Sequence, residues 1–120
     1  MIKGALMNYG VKTIIYPVKD LAKAKALYTK LLGVQPYAEQ PYYVGFRVGD
    51  QEIGLDPNGH RKGMTGATAY CHVSDITECL KSLLDAWVHT QQVVTDVGKG
   101  KLIATVKDAD DNMIGLIQSP

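Results

Sequence analysis

Tyr43, Arg47, Glu52 and Asp56 are interleaved with Val44, Phe46, Val48, Ile53 and Leu55 on either side of Gly49-Asp50. Side chains along a strand point alternately to its two faces. A Gly-Asp pair between two alternating runs reads as a two-residue β-hairpin. With Val48 paired to Gln51, Arg47 lies opposite Glu52, Gly45 opposite Gly54 and Tyr43 opposite Asp56. One face of the hairpin is then wholly apolar and should pack on a helix. The other holds a phenol, a guanidinium, two carboxylates and two glycines. Such groups can stack on, pair with and hydrogen-bond a small organic molecule, and a strand glycine leaves room for close approach. Tyr70 and His72, two residues apart in a later strand, add a second phenol and an imidazole. Glu52 and His72 are groups that could move a proton in metal-free acid–base chemistry, as in an isomerase.

Each of these residues also has a plainer reading. Arg47 and Glu52 can be a cross-strand ion pair worth about 0.2–1 kcal/mol. Tyr43 and Tyr70 can be edge or interface aromatics, and His72 a hydrogen-bonded sheet histidine. His60 and His89 fall in a loop and at a helix end, where solvated surface is the default. Cys71 has the opposite parity to Tyr70 and His72, so it should face a helix as a small hydrophobe. With Cys79 it forms no CxxC spacing, and in a reducing cytosol the two read as buried thiols. No nucleophile–base–orienter set, phosphate loop or dinucleotide fingerprint is present.

The elements that must position these groups come as a repeat. Thr13 to Leu21 (TIIYPVKDL) and Thr68 to Ile76 (TAYCHVSDI) are related by an offset of 55 residues. Each leads into a helical pattern, and Ile53-Gly54-Leu55 returns as Ile114-Gly115-Leu116. A repeat of this length is one supersecondary unit used twice. The first copy reads as a strand over 11–18, an N-cap at Asp20, a helix with Leu21, Ala24, Leu27, Tyr28 and Leu31 on its apolar stripe, a stop at Gly33, a loop over 34–41 and then the hairpin. Residues 57–66 form a Gly-rich linker. The second copy reads as a strand over 67–73, a cap at Asp75 or Ser74, and a helix whose stripe is Ile76, Cys79, Leu80, Leu83, Leu84 and Trp87. Strands follow over 91–97, 102–107 and 113–118.

The bulk numbers set bounds. The chain has 120 residues, 46% of them hydrophobic, and a net charge of +1. That is one domain's worth of chain, long enough to bury a core. The near-neutral balance supplies no basic footprint for nucleic acid. Neither a membrane span nor an N-terminal apolar leader is visible. The expectation is a cytoplasmic protein of one domain over 1–120, with module one at about 11–57 and module two at about 66–118.

With VKDLAKAKALYTKLLG, YVGFRVGDQEIGL, HVSDI and DADDNMIGL in this order, the chain resembles the vicinal-oxygen-chelate superfamily, which holds glyoxalase I, extradiol dioxygenases, fosfomycin-modifying enzymes and bleomycin-resistance proteins. The last motif is similar to the family's DPDGNxIEL, and the likeness covers residues 11 to 118. The resemblance implies an α+β fold of two tandem βαβββ modules forming a curved mixed sheet cup, usually in a homodimer. It also implies a divalent metal, held by His, Gln or Glu on the first strand of each module and by Glu near the end of each last strand. In this chain those four positions fall on Thr13, Gly54, Thr68 and Gly115. None is a usual ligand for a divalent cation, which needs carboxylates or imidazoles converging from separate strands.

The expectation is therefore a cup without metal or other cofactor. Strand parity lines it with Thr13, Ile15, Tyr43, Arg47, Glu52, Gly54, Asp56, Thr68, Tyr70, His72, Met113 and Gly115. The corresponding function is that of a metal-free small-molecule binding protein similar to the bleomycin-resistance branch, sequestering an antibiotic or aromatic metabolite. Bleomycin itself fits poorly, because a cationic drug favours an acidic cleft and Arg47 is expected inside this one. The alternative is a metal-dependent lyase or dioxygenase using Glu52, Asp56 and His72 as displaced ligands. A mainly structural or regulatory dimer is a further reading.

Overall fold

The computed structural model describes residues 7–86 and 88–120. Trp87, expected to close the second apolar stripe, lies outside the described residues, as does the start of the N-terminal lead-in. The chain divides into two compact units, Lys12–Thr68 and a second made of residues 7–11 with Ala69–Pro120. Each is built around one βαβββ module.

Module one runs β1 (Asn8–Pro17), α1 (Leu21–Leu32), β2 (Ala38–Gln40), β3 (Tyr43–Val48) and β4 (Gln51–Asp56), and its strands lie in the order β2-β3-β4-β1. β4 runs parallel to β1 and antiparallel to β3. The hairpin register is the expected one, with Arg47 opposite Glu52 and Gly45 opposite Gly54. Gly49 supplies the positive φ that the tight turn needs, +60°. Two features differ from the sequence reading. β1 begins at Asn8 rather than at residue 11. The two-proline segment contains the short strand β2, which adds to the outer side of β3 through backbone pairing that no side-chain pattern announces.

The Asp20 side chain accepts the Lys23 N–H at 3.0 Å to start α1, and Gly33 ends it at φ +71°. Val44, Phe46 and Leu55 form the buried core beneath the helix, joined by Tyr16, Leu21, Ala24, Tyr28, Leu32 and Ile53. The hairpin's apolar side therefore packs on α1 through Val44, Phe46, Ile53 and Leu55, whereas Val48, expected with them, sits beside the turn and is 39% exposed. Leu27 and Leu31 do not join it: they are 61% and 69% exposed. The stripe runs through Leu21, Ala24, Tyr28 and Leu32, and Leu27 and Leu31 each lie one residue, about 100° of helix rotation, off that line. Tyr28 fixes the line by packing its ring on Tyr16, with centroids 5.1 Å apart.

Module two runs β5 (Thr68–Val73), α2 (Ile76–Leu84), β6 (His89–Asp96), β7 (Leu102–Lys107) and β8 (Met113–Gln118), in the order β5-β8-β7-β6. Asp75 caps α2 by accepting the Glu78 N–H at 3.0 Å, and Gln118 of β8 accepts the Ile76 N–H at 2.8 Å. Val73, Ile76, Ala104 and Leu116 make its core, with Cys71, Cys79, Leu80 and Leu83 packed against them. Cys71 faces the helix as its parity predicts. Burial is the leading reason the Cys79 thiol is pushed up, so it stays a thiol. Leu84, expected on the stripe, is 47% exposed. In the β7–β8 turn Asp108 accepts the N–H groups of Asp110 and Asn112 and the Asn112 side-chain amide, and the Asn112 bonds hold its carboxyl below the usual range. Among the described residues no helix is long and apolar enough to cross a membrane.

Candidate functional site

The face of the module-one sheet opposite α1 gathers most of the chemistry. Alternation places Thr13 and Ile15 of β1, Tyr43, Gly45 and Arg47 of β3, and Glu52 and Gly54 of β4 on that face. Parallel pairing sets Thr13 beside Glu52 and Ile15 beside Gly54. The glycines form a floor on which two phenol rings rest. A Cβ built on Gly54 would lie 2.3 Å from the Tyr43 hydroxyl oxygen and 2.6 Å from its Cε1. One on Gly45 would lie 2.9 Å from Tyr43 Cε2 and 3.0 Å from Tyr37 Cε1. No side chain fits at either position while the rings stay where they are.

Tyr37 belongs to this site although its sequence gives no sign of it. It precedes β2 in the two-proline segment, and its N–H donates to the Gly45 carbonyl at 2.9 Å. That backbone bond swings its ring over the glycine floor. Its hydroxyl donates to Oε2 of Glu52, and the Tyr43 hydroxyl donates to the same oxygen at 2.7 Å. The Arg47 guanidinium lies over the Tyr37 ring, 4.0 Å from its centroid. The Tyr37 phenol thus meets both the glycine backbone and the guanidinium, and a carboxylate holds both phenols by their hydroxyls.

Burial pushes the Tyr37 hydroxyl up to about 12, and the hydrogen bond and charge of Glu52 add to the rise while Arg47 opposes it. The protonated phenol is thus the form the fold favours. Its contribution to stability is present below the ordinary tyrosine value of 10.0 and is lost as pH rises through about 12. The phenolate absorbance of the wild type, taken as a difference against Tyr37→Phe, should show Tyr37 titrating near 12. Glu52→Gln should bring that titration downward, because a neutral amide no longer opposes phenolate formation. An unchanged midpoint in Glu52→Gln would show that Glu52 does not hold the phenol.

Asp56 is placed differently. It is 8% exposed, and its side chain accepts the Asn58 N–H at 2.8 Å and the Lys62 ammonium at 2.9 Å. Its carboxylate stitches down the start of the linker, which contains a short 3-10 turn over His60–Lys62.

Module two repeats the floor with one ring. On the face opposite α2, β5 presents Tyr70 and His72, β7 presents Thr105, and β8 presents Met113, Gly115 and Ile117. Tyr70 is the registered partner of Gly115, and so is Thr105 from the other side. A Cβ on Gly115 would lie 2.3 Å from Tyr70 Cδ2 and 2.5 Å from its Cγ. Thr68 and Thr105 are buried, at 1% and 3% exposure. Thr105 could have been found only with the β7–β8 register, which the five-residue turn hides.

The four positions where a metal ligand would be expected are therefore two buried threonines, Thr13 and Thr68, and two glycines whose side-chain space holds a tyrosine ring. Among the described residues, no three His, Cys, Asp or Glu side chains converge in a way that could hold a metal ion. This donor set does not fit a divalent cation.

Residues 10–116 match the family described as the Glyoxalase/Bleomycin resistance protein/Dioxygenase superfamily. The chain belongs to that superfamily. No curated protein matches it. Among solved structures it is similar to methylmalonyl-CoA epimerase from Mycobacterium tuberculosis, at 18% identity and a TM-score of 0.70 over 100% of this chain and 94% of that one. It is similar to a Legionella pneumophila protein described as NAD-dependent benzaldehyde dehydrogenase, at 18% identity and a TM-score of 0.71 over 90% and 98%. A superfamily member from Vibrio splendidus 12B01 aligns at 13% identity and a TM-score of 0.69 over 94% and 100%. At these identities the likeness establishes the glyoxalase-like fold, on which unrelated functions are built.

Proposed function

We propose that this superfamily member is a metal-free protein that binds a small organic molecule, as the bleomycin-resistance branch does, and sequesters an antibiotic or aromatic metabolite. The observation that carries the reading is the replacement of the ligating carboxylates by tyrosine rings in both modules, Tyr43 over Gly54 and Tyr70 over Gly115. A metal site that had lost one ligand would keep the others and the space between them. Here the space itself is occupied. What replaces it in module one is a half-open face with stacking surface, a carboxylate and a guanidinium, the mixture of apolar area and few directed polar groups that small-molecule sites use.

The test is a thermal-shift screen of antibiotics and aromatic metabolites against protein purified without chelator. A true ligand at about a hundred times its Kd should raise Tm by about 5–10 °C. Tyr43→Ala should abolish that shift. Stoichiometric, tight binding of nickel, manganese or iron by the same preparation would overturn the proposal, as would a screen in which no compound moves Tm.

A further inference from the structure

We infer that the module-one face takes a planar aromatic carboxylate, with Arg47 receiving its acid group. The inference rests on the binding role proposed above and names the ligand class for it. Two charged groups on this face could select a ligand, Glu52 for a cation and Arg47 for an anion, and their surroundings differ. One oxygen of Glu52 already takes two phenolic hydrogens, from Tyr37 and from Tyr43 at 2.7 Å. An incoming ammonium would compete with both donors and meet the positive charge of Arg47 from the facing strand position. Arg47 is exposed, and one flat side of its guanidinium is held against the Tyr37 ring at 4.0 Å.

A guanidinium stacked in this way is restrained in orientation, and with one donor given to the Tyr37 hydroxyl the rest of its five N–H groups are left for a ligand. That is the arrangement that binds a carboxylate through two parallel hydrogen bonds, and holding it in advance reduces the ordering cost of binding. The aromatic part of the ligand follows from the same geometry. The Tyr37 ring covers one side of the guanidinium, and because Arg47 is exposed its other side is a second stacking surface. The Tyr43 ring, half-buried over Gly54, offers an adjoining apolar one. A flat ring carrying a carboxylate can satisfy both at once. A compact anion such as phosphate would use the charge and leave the rings uncovered.

The test uses the full chain and three probes of one shape: 2-naphthoate, neutral 2-naphthamide and cationic 2-naphthylmethylammonium. Binding is followed by amide chemical-shift perturbation. Naphthoate should bind about tenfold or more tighter than either analogue, with the largest shifts at Arg47 and its β4 neighbours. Arg47→Gln, an exposed substitution whose folding the same spectra report, should erase the preference. Arg47→Lys should keep part of it, since it retains the charge and loses the planar fork. A preference for the ammonium or the amide, a naphthoate preference that survives Arg47→Gln, or equal binding of cyclohexanecarboxylate and benzoate would each overturn the inference. If a screened neutral or cationic compound binds this face while naphthoate does not, the inference fails and the binding function stands. If no compound binds at all, both fail.

Discussion

Gly115→Ala is expected to destabilise the protein by about 3 kcal/mol, the upper part of the range for overpacking a well-filled site. The added Cβ would lie 2.3 Å from Tyr70 Cδ2, 2.5 Å from Cγ and 2.6 Å from Cε2. These atoms are the root and near edge of the ring, so turning the ring does not clear them. Tyr70 is 6% exposed, and its strand is locked in register with Gly115. Relief requires moving β5 or β8. Gly54→Ala should cost less, about 1 kcal/mol. There the contacts are with the far end of the half-buried Tyr43, which can swing outward by giving up its 2.7 Å bond to Glu52. Chemical denaturation of the two variants reads the difference directly. A double-mutant cycle of Gly115→Ala with Tyr70→Ala isolates the cause and should return a coupling of at least about 1 kcal/mol. Equal costs at the two glycines, or additivity in the cycle, would show that the Tyr70 ring is not what fills the position. A glutamate there would bring the same Cβ and more, so the experiment also measures how firmly the chain is closed to a metal-ligating carboxylate at that point.

The parts of the structure that could be read from the sequence are those in which one residue's type constrains one local geometry. Asp20 and Asp75 announce helix starts because a short carboxylate is what an exposed helix N–H needs, and both accept that bond. Gly49-Asp50 announces the hairpin and fixes its register, and that register alone puts Tyr43, Arg47, Glu52 and Gly54 on one face. The repeat announces the doubled module. Tyr37 was beyond such reasoning: it enters through a backbone bond to Gly45, and backbone pairing leaves no mark on side-chain pattern in a segment with prolines. Leu27 and Leu31 misled for a related reason. Several near-equivalent apolar stripes can be drawn on α1, and the choice among them is made by Tyr16, a residue of another element. The meaning of the glycines was only half legible. The family resemblance marks Gly54 and Gly115 as positions without the family's ligand, but that tyrosines fill their space is a fact of tertiary packing.

Phe46→Ala should cost about 4 kcal/mol, the expected penalty for emptying a fully buried phenylalanine site. Phe46 is 0% exposed, between Val44 and Leu55 in the core that seats α1. It also stands between Gly45 and Arg47 in sequence, so the strand that carries it carries the candidate site on its reverse. That makes it a probe of how far the two sides of one sheet are coupled. Phe46→Leu should cost only about 1 kcal/mol, because the volume is largely kept and the neighbours can repack. In that variant β3 keeps its pairing with β4, and with it the placement of Tyr43 and Arg47 against Glu52. Tyr37 should therefore still titrate near 12, because burial and Glu52 continue to hold it. Denaturation gives the stability of both variants, and the phenolate difference spectrum gives the state of the opposite face. A Tyr37 midpoint falling to the ordinary tyrosine value in Phe46→Leu would mean that the phenol–carboxylate arrangement is set by core packing rather than by strand register. A stable fold with an unmoved midpoint would locate the design of the site in the hairpin itself, where side-chain alternation lets one surface be rebuilt for binding while the other goes on holding the helix.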